Sequence, residues 1–196
     1  VVRDSAGRAT GLLRETAQRL VAKAAADYQS QRPPDEQRAE LAEQVLLAGE
    51  QALAHGITSF HDAGASFATI DFLKEMETAG ELPIRLYVMV RGESNDELAA
   101  NLSAYRMETE ENDFLSVRSI KRQVDGALGA HGAWLLAPYT DLPETHGLVL
   151  ESVEDIEETA RLAIEHGYQL NTHAIGDRAN REILDLYERA FRQAEV

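Results

Sequence analysis

Cysteine is absent from the chain. That excludes a disulfide framework, a thiolate nucleophile and any cysteine-based zinc site. A metal served by these residues has to be held by histidine, carboxylate or a modified lysine. Basic residues are scarce beside acidic ones, 19 against 34, for a net charge of -15. Such a surface repels phosphate backbones and anionic lipid, so the expectation is no nucleic-acid partner and no membrane partner. No apolar run approaches the ~18 residues of a spanning helix, and the opening "VVRDSAGRAT" has neither a basic nor an apolar signal region. A cytoplasmic location is the expectation. Also missing are G-x-S-x-G, H-E-x-x-H and a P-loop.

What is present is an ordinary globular composition, 196 residues of which 44% are hydrophobic. The chain opens on Val1 rather than Met and stops at Val196 directly after a helical pattern, which reads as a piece of something longer. Two helical stretches come first. "TGLLRETAQRLVAKAAADY" carries Leu12, Leu13, Ala17, Leu20, Val21 and Ala24 at helical spacing, and "DEQRAELAEQVLLAGEQALAHG" is opened by Pro33-Pro34 and closed by Gly56. They predict a helical hairpin over residues 1–56.

After Gly56 the rhythm changes to short apolar strands alternating with amphipathic helices, beginning near Ile57, Ile84, Val117 and Tyr168. Strands separated by helices of this length predict βαβ units and a parallel sheet, an α/β fold over residues 57–196. One connection breaks the pattern. "DGALGAHGAWLLAPYTDLPETHGLVL", Asp125 to Leu150, is too rich in Gly and Pro for a regular helix. A loop of this length inside a compact domain is usually functional or disordered; because this one carries Trp134, Tyr139, His131 and His146 off the C-terminal end of a strand, it is read as an active-site loop, with a plain surface excursion as the alternative. Its G-x-x-G-x-x-G spacing lacks the helix a phosphate-binding turn requires.

The strongest single candidate is His173 in "QLNTHAIGDRAN", a histidine at a strand tip, where α/β enzymes keep their chemistry. A packed structural histidine is the competing reading. Asp177 is read as the N-cap of the helix that follows. Lys121, in "SVRSIKRQVDG", falls inside a predicted buried strand, where desolvation favours the neutral amine. A neutral amine can take up carbon dioxide and become a carbamate oxygen ligand. The bland alternative is that Arg118, Lys121 and Arg122 form a charged edge. His61 and Asp62, in "SFHDAG", are read as ending an earlier strand at the same face, either facing substrate or backing the ligands, or joining strand to loop in a purely structural role. His55 and His166 precede glycines at helix ends, where the helix dipole accounts for them.

Together "GITSFHDAG", "IKRQVDGALGAHGAWLLAPYTD", "HGLVL" and "GYQLNTHAIGDRAN" resemble consecutive motifs of the metal-dependent amidohydrolase superfamily, in the YtcJ-like branch that includes N-substituted formamide deformylases. "RDSAGRATGLLRE" matches that branch too. The resemblance implies a (β/α)₈ (TIM) barrel holding one or two divalent ions, usually zinc, that hydrolyses a carbon-nitrogen bond of an amide or formamide-like small molecule. Its ligands would be a His-x-His pair, a lysine or acidic residue, two single histidines and an aspartate. Only Lys121, as amine or as carbamate, and His173 match positions in this chain. Asp125, His131 and Trp134 would shape the substrate pocket. The chain is therefore expected to be a partial barrel, strands two to five preceded by a helical insertion, and inactive alone. Self-association is compatible with its exposed strand edges. The rival reading is a non-catalytic α/β module that binds a small molecule or a partner.

Overall fold

The computed structural model describes residues 1–108 and 114–194. A short 3₁₀ turn, Glu15–Gln18, leads into α1 (Arg19–Gln29) and α2 (Pro34–Ala54). Then come β1 (Ser59–Ala65), α3 (Phe67–Thr78), β2 (Arg85–Val90), α4 (Asn95–Tyr105), β3 (Leu115–Gln123), α5 (Val153–His166), β4 (Gln169–His173) and α6 (Asp177–Gln193). Strand existence and order match the sequence pattern. Each strand start moves by one or two residues, because hydrogen-bond pairing rather than hydropathy sets strand ends, while the first helix, expected from Thr10, begins only at Arg19. The helical pattern expected beyond Tyr105 runs into residues 109–113, and the last residues of α6's pattern into 195–196, both outside the described residues.

All neighbouring strands pair in parallel, in the order β1-β2-β3-β4. A doubly wound sheet reverses its strand order partway; this one does not. Sequential order with right-handed crossovers puts α3, α4 and α5 on one face of the sheet and leaves the other free of helices. That is the arrangement of an arc of a (β/α)₈ barrel, whose helix-free face becomes the interior on closure.

The crossover helices start cleanly. Ser66, Ser94 and Ser152 are N-caps whose side chains accept from the backbone N–H of Thr69, Glu97 and Asp155, and Ser94 with Glu97 forms a full capping box. At the other end of α5, Gly167 takes the left-handed conformation, φ 71°, which glycine adopts without Cβ strain. The main core lies between sheet and helices. Val88, Val117 and Ile120 meet Ile70, Leu98 and Leu102, all essentially inaccessible. A second cluster, built on Val124, Ile156, Ile183 and Leu186, seats α6.

The hairpin of residues 1–56 does not form as the hydrophobic pattern suggests. α1 buries none of its residues, Leu20 and Val21 being 63% and 59% exposed, so its apolar stripe has no partner among the described residues. α2, by contrast, packs Leu41, Ala42 and Val45 on the main core and passes through Gly56 directly into β1. It sits in the helix layer of the barrel arc.

Candidate metal and substrate site

Alternation along β3 and β4 sorts their side chains. Ile120 and Leu170, paired across the strands, enter the core. Lys121 pairs with Asn171, and Gln123 with His173, on the helix-free face. Lys121 and His173 are thus one strand apart and two residues apart along it. With strand rises of ~3.3 Å and spacings of ~4.8 Å, their Cα atoms lie roughly 8 Å apart. Both project near the C-terminal ends of parallel strands, the end that carries chemistry in such folds.

The charged-edge explanation of Lys121 does not hold, because β3 is paired on both sides. Arg122 instead points into the helix layer, its Nε donating to Thr159 Oγ1 at 2.9 Å and its Nη2 to Asn95 Oδ1 at 3.0 Å. Lys121 itself is half-buried. Desolvation holds its ammonium below the ordinary lysine value, the nearby Arg91 guanidinium adds to this, and Glu151 opposes it. It borders a cavity of about 570 Å³ together with Arg91, Ser94, Asn95, Arg122 and Glu151.

His173 ends β4, its carbonyl accepting from Val124 N–H at 3.1 Å. Its side chain is 31% exposed, yet Nε2 is occluded and has no hydrogen-bond partner. The nearest carboxylate oxygen, Asp125 Oδ1, is 3.9 Å away. A buried ring nitrogen without a partner is costly, and ligation would satisfy it. Among the described residues no three His, Asp or Glu side chains are grouped to hold a metal ion. The donors here fit a metal in kind, an imidazole nitrogen and an amine beside it, but two cannot complete the roughly four-ligand shell of zinc.

The remaining sequence candidates separate. His61 lies in the middle of β1, not at its tip; it stacks on Tyr87 with centroids 4.8 Å apart. Register puts that pair level with Ser116, well short of Lys121 along the sheet. Asp62 Oδ1 accepts the Gly64 N–H at 3.1 Å, a local turn. Neither is brought to the Lys121–His173 pair. Asp125 is fully buried and accepts the backbone N–H groups of Trp134, Ile175 and Gly176, so its carboxylate faces backbone donors rather than the substrate side.

Within the long loop, His131 is left-handed, φ 57°. Its Nε2 lies 3.0 Å from Asp141 Oδ2, and that hydrogen bond pulls the Asp141 carboxyl below its ordinary value. The Trp134 ring, half-buried, lies under the Arg178 guanidinium at 4.6 Å. The loop is ordered by its own backbone bonds, including Gly126 N–H to Gly132 carbonyl at 2.9 Å and Leu135 N–H to His146 carbonyl at 2.8 Å. Asp177 is not the N-cap of α6: Gly176 holds that position without a side-chain cap. The Asp177 carboxylate accepts from Arg178 N–H and, across the fold, from Leu136 N–H at 2.9 Å.

Two carboxylates escaped the sequence reading. Glu151 accepts the Gln123 N–H at 2.9 Å beside Lys121, and burial raises its pKa against the opposing pull of Arg122. Glu15, at φ 45°, inserts its carboxylate between Gly126 and Gly132, where a Cβ on either would come within 3 Å of it. A non-glycine residue held left-handed is strained. No local pattern signals either residue, since each meets its partners only through the fold.

Comparison with known proteins agrees with this geometry. A family model described as the amidohydrolase family matches residues 1–196. The putative amidohydrolase YtcJ of Bacillus subtilis (strain 168) is 28% identical over 194 residues, covering 96% of this chain and 34% of that protein. Protein LONG AFTER FAR-RED 3 of Arabidopsis thaliana is 29% identical, covering 96% and 32% respectively. An uncharacterized metal-dependent hydrolase from Pyrococcus furiosus superposes with a TM-score of 0.65 at 30% identity over 76% of this chain and 31% of that one. Its counterpart from Pyrococcus horikoshii gives 0.66 at 27% identity, over 78% and 31%. The chain thus spans about a third of the length of the relatives it matches. With a barrel arc, a histidine and lysine at its mouth and a family match along its whole length, the chain belongs to the amidohydrolase family.

Proposed function

We propose that these residues form part of a longer metal-dependent hydrolase that cleaves the carbon-nitrogen bond of an amide or formamide-like small molecule. The observation that carries this reading is the occluded, unpartnered Nε2 of His173 beside Lys121 on the helix-free face. When bound there, a divalent ion such as zinc, singly or as a pair, would supply Lewis acidity and lower the pKa of water toward neutrality.

The chain's own residues prepare that chemistry. His173 offers Nε2 as a ligand, which requires the neutral ring with its proton on Nδ1. Lys121, its ammonium disfavoured by burial, offers the neutral amine or, after uptake of carbon dioxide, a carbamate oxygen. The loop from Asp125 to Leu150, which packs on the turn after His173 through Trp134, is assigned to the substrate pocket, with the half-buried Trp134 and His131 as its contacts. Two ligands do not complete a centre, so the remaining ligands and the proton-accepting aspartate come from outside residues 1–196, and this stretch alone is inactive.

The test is metal content by inductively coupled plasma mass spectrometry on the intact protein, purified without chelator and with bicarbonate. It is paired with amine release from a panel of N-formyl and N-acetyl compounds. One to two equivalents of metal, diminished in His173→Ala along with amine release, is the expected result. A folded protein that carries no metal yet hydrolyses the panel would overturn the proposal.

A further inference from the structure

We propose that Asp125 is a positioning residue that locks the His173 turn to the substrate loop, so that the direction of the His173 ring and the placement of the loop are set together. The proposal rests on the reading of His173 as a metal ligand.

Asp125 stands two residues beyond β3 and is wholly inaccessible. Its Oδ1 accepts from Ile175 N–H at 2.9 Å, and its Oδ2 accepts from Gly176 N–H and Trp134 N–H, both at 2.8 Å. Two of these donors lie two and three residues past His173. The third lies in the long loop. One carboxylate therefore gathers the end of β3, the turn after β4 and the loop. Bonds of this kind, to an ionised acceptor, are among the stronger ones.

The connection is reciprocated by backbone. The Trp134 carbonyl accepts from Ala179 N–H at 3.2 Å, Leu136 N–H donates to Asp177 at 2.9 Å, and Gly176 lies so close to Trp134 that a Cβ would strike its main chain. Meanwhile Oδ1 is 3.9 Å from His173 Nε2, beyond hydrogen-bond reach. Asp125 places the ring without occupying the nitrogen that would bind metal.

The chemistry demands a carboxylate. Three N–H groups converge on two oxygens, and an asparagine would aim its own NH₂ at one or two of them. Asp125→Asn preserves shape while breaking the lock.

The experiment loads the metal-free intact protein with Co²⁺, reading affinity by chelator competition and ligand geometry by the visible d–d spectrum. Loss of a group that orients a ligand typically costs 10–100-fold in metal affinity. Asp125→Asn is expected to lose that much with a changed spectrum, and to gain protease cleavage between Gly126 and Leu150. Co²⁺ affinity within twofold of wild type and an unchanged spectrum overturn the proposal. If Asp125→Asn does not fold, Asp125→Glu keeps the charge but shifts both oxygens, so a shifted spectrum supports the lock and an unshifted one overturns it. His173→Ala separates the two readings. Co²⁺ lost in His173→Ala but retained in Asp125→Asn defeats only the positioning role, whereas Co²⁺ retained in His173→Ala defeats the metal-ligand reading itself.

Discussion

Replacing Gly176 with alanine isolates the contact between the loop and the His173 turn. Gly176 has φ -66° and ψ 151°, a conformation open to any residue, so alanine introduces no backbone strain. In a permissive site the same substitution stabilises by about 0.4–1 kcal/mol, by narrowing the unfolded ensemble. Here the new Cβ falls on the carbonyl, carbonyl carbon and nitrogen of Trp134, main-chain atoms that cannot rotate aside. The loop has to retreat. Doing so stretches the Trp134 N–H bond to Asp125, about 1.5–3 kcal/mol for a bond to a charged group, and the Ala179 N–H bond to the Trp134 carbonyl, about 0.5–1.5 kcal/mol.

Setting the entropic gain against these losses leaves a destabilisation of about 1–4 kcal/mol, of the size expected for overpacking. Urea unfolding of the intact protein at neutral pH measures the change, and limited proteolysis locates it to the loop. An alanine variant equal to or more stable than wild type would refute the reasoning, because the loop would then not be seated against Gly176.

Two other outcomes follow from single groups. Glu151 has its pKa raised by burial, so the folded state holds a proton that the unfolded state releases near pH 4.5. The stability this contributes is full below that pH and is lost as pH rises through the folded value. Urea unfolding from pH 4.5 to 7.5 should therefore show wild type losing ground steadily to Glu151→Gln; a gap that moves the other way would mean that the 3.7 Å attraction of Arg122 outweighs desolvation. Tyr168, buried, donates its hydroxyl to the Leu102 carbonyl at 2.9 Å, an acceptor shared with Arg106 N–H. With that second donor remaining, Tyr168→Phe should cost only about 0.5–1.5 kcal/mol, and a variant with a raised melting temperature contradicts the assignment.

The legible parts of this protein are those governed by local rules. Four strands alternating with helices, the glycines at helix ends, and the irregularity of residues 125–150 follow from period, capping and turn chemistry along a few residues at a time. Position alone singled out His173, whereas Lys121 read by itself as part of a charged edge and became a candidate ligand only through the family resemblance. Local pattern misled where the partner is not local. The stripe of Leu20 and Val21 is a good helix signal, yet it says nothing about what covers it, and α1 buries nothing. Asp177 has the composition of an N-cap but serves the loop at Leu136 instead.

The residue pattern thus supplied the elements, their parallel arrangement and two candidate ligands, Lys121 and His173. Only the tertiary structure decided that Lys121 and His173 share the helix-free face two residues apart, since that depends on strand register. Only it showed that Asp125 faces inward onto three backbone donors rather than outward onto substrate. The physical reason is the same in both cases. Hydrogen bonds between segments up to about fifty residues apart fix which atoms meet, and no periodicity within one segment encodes its partner's.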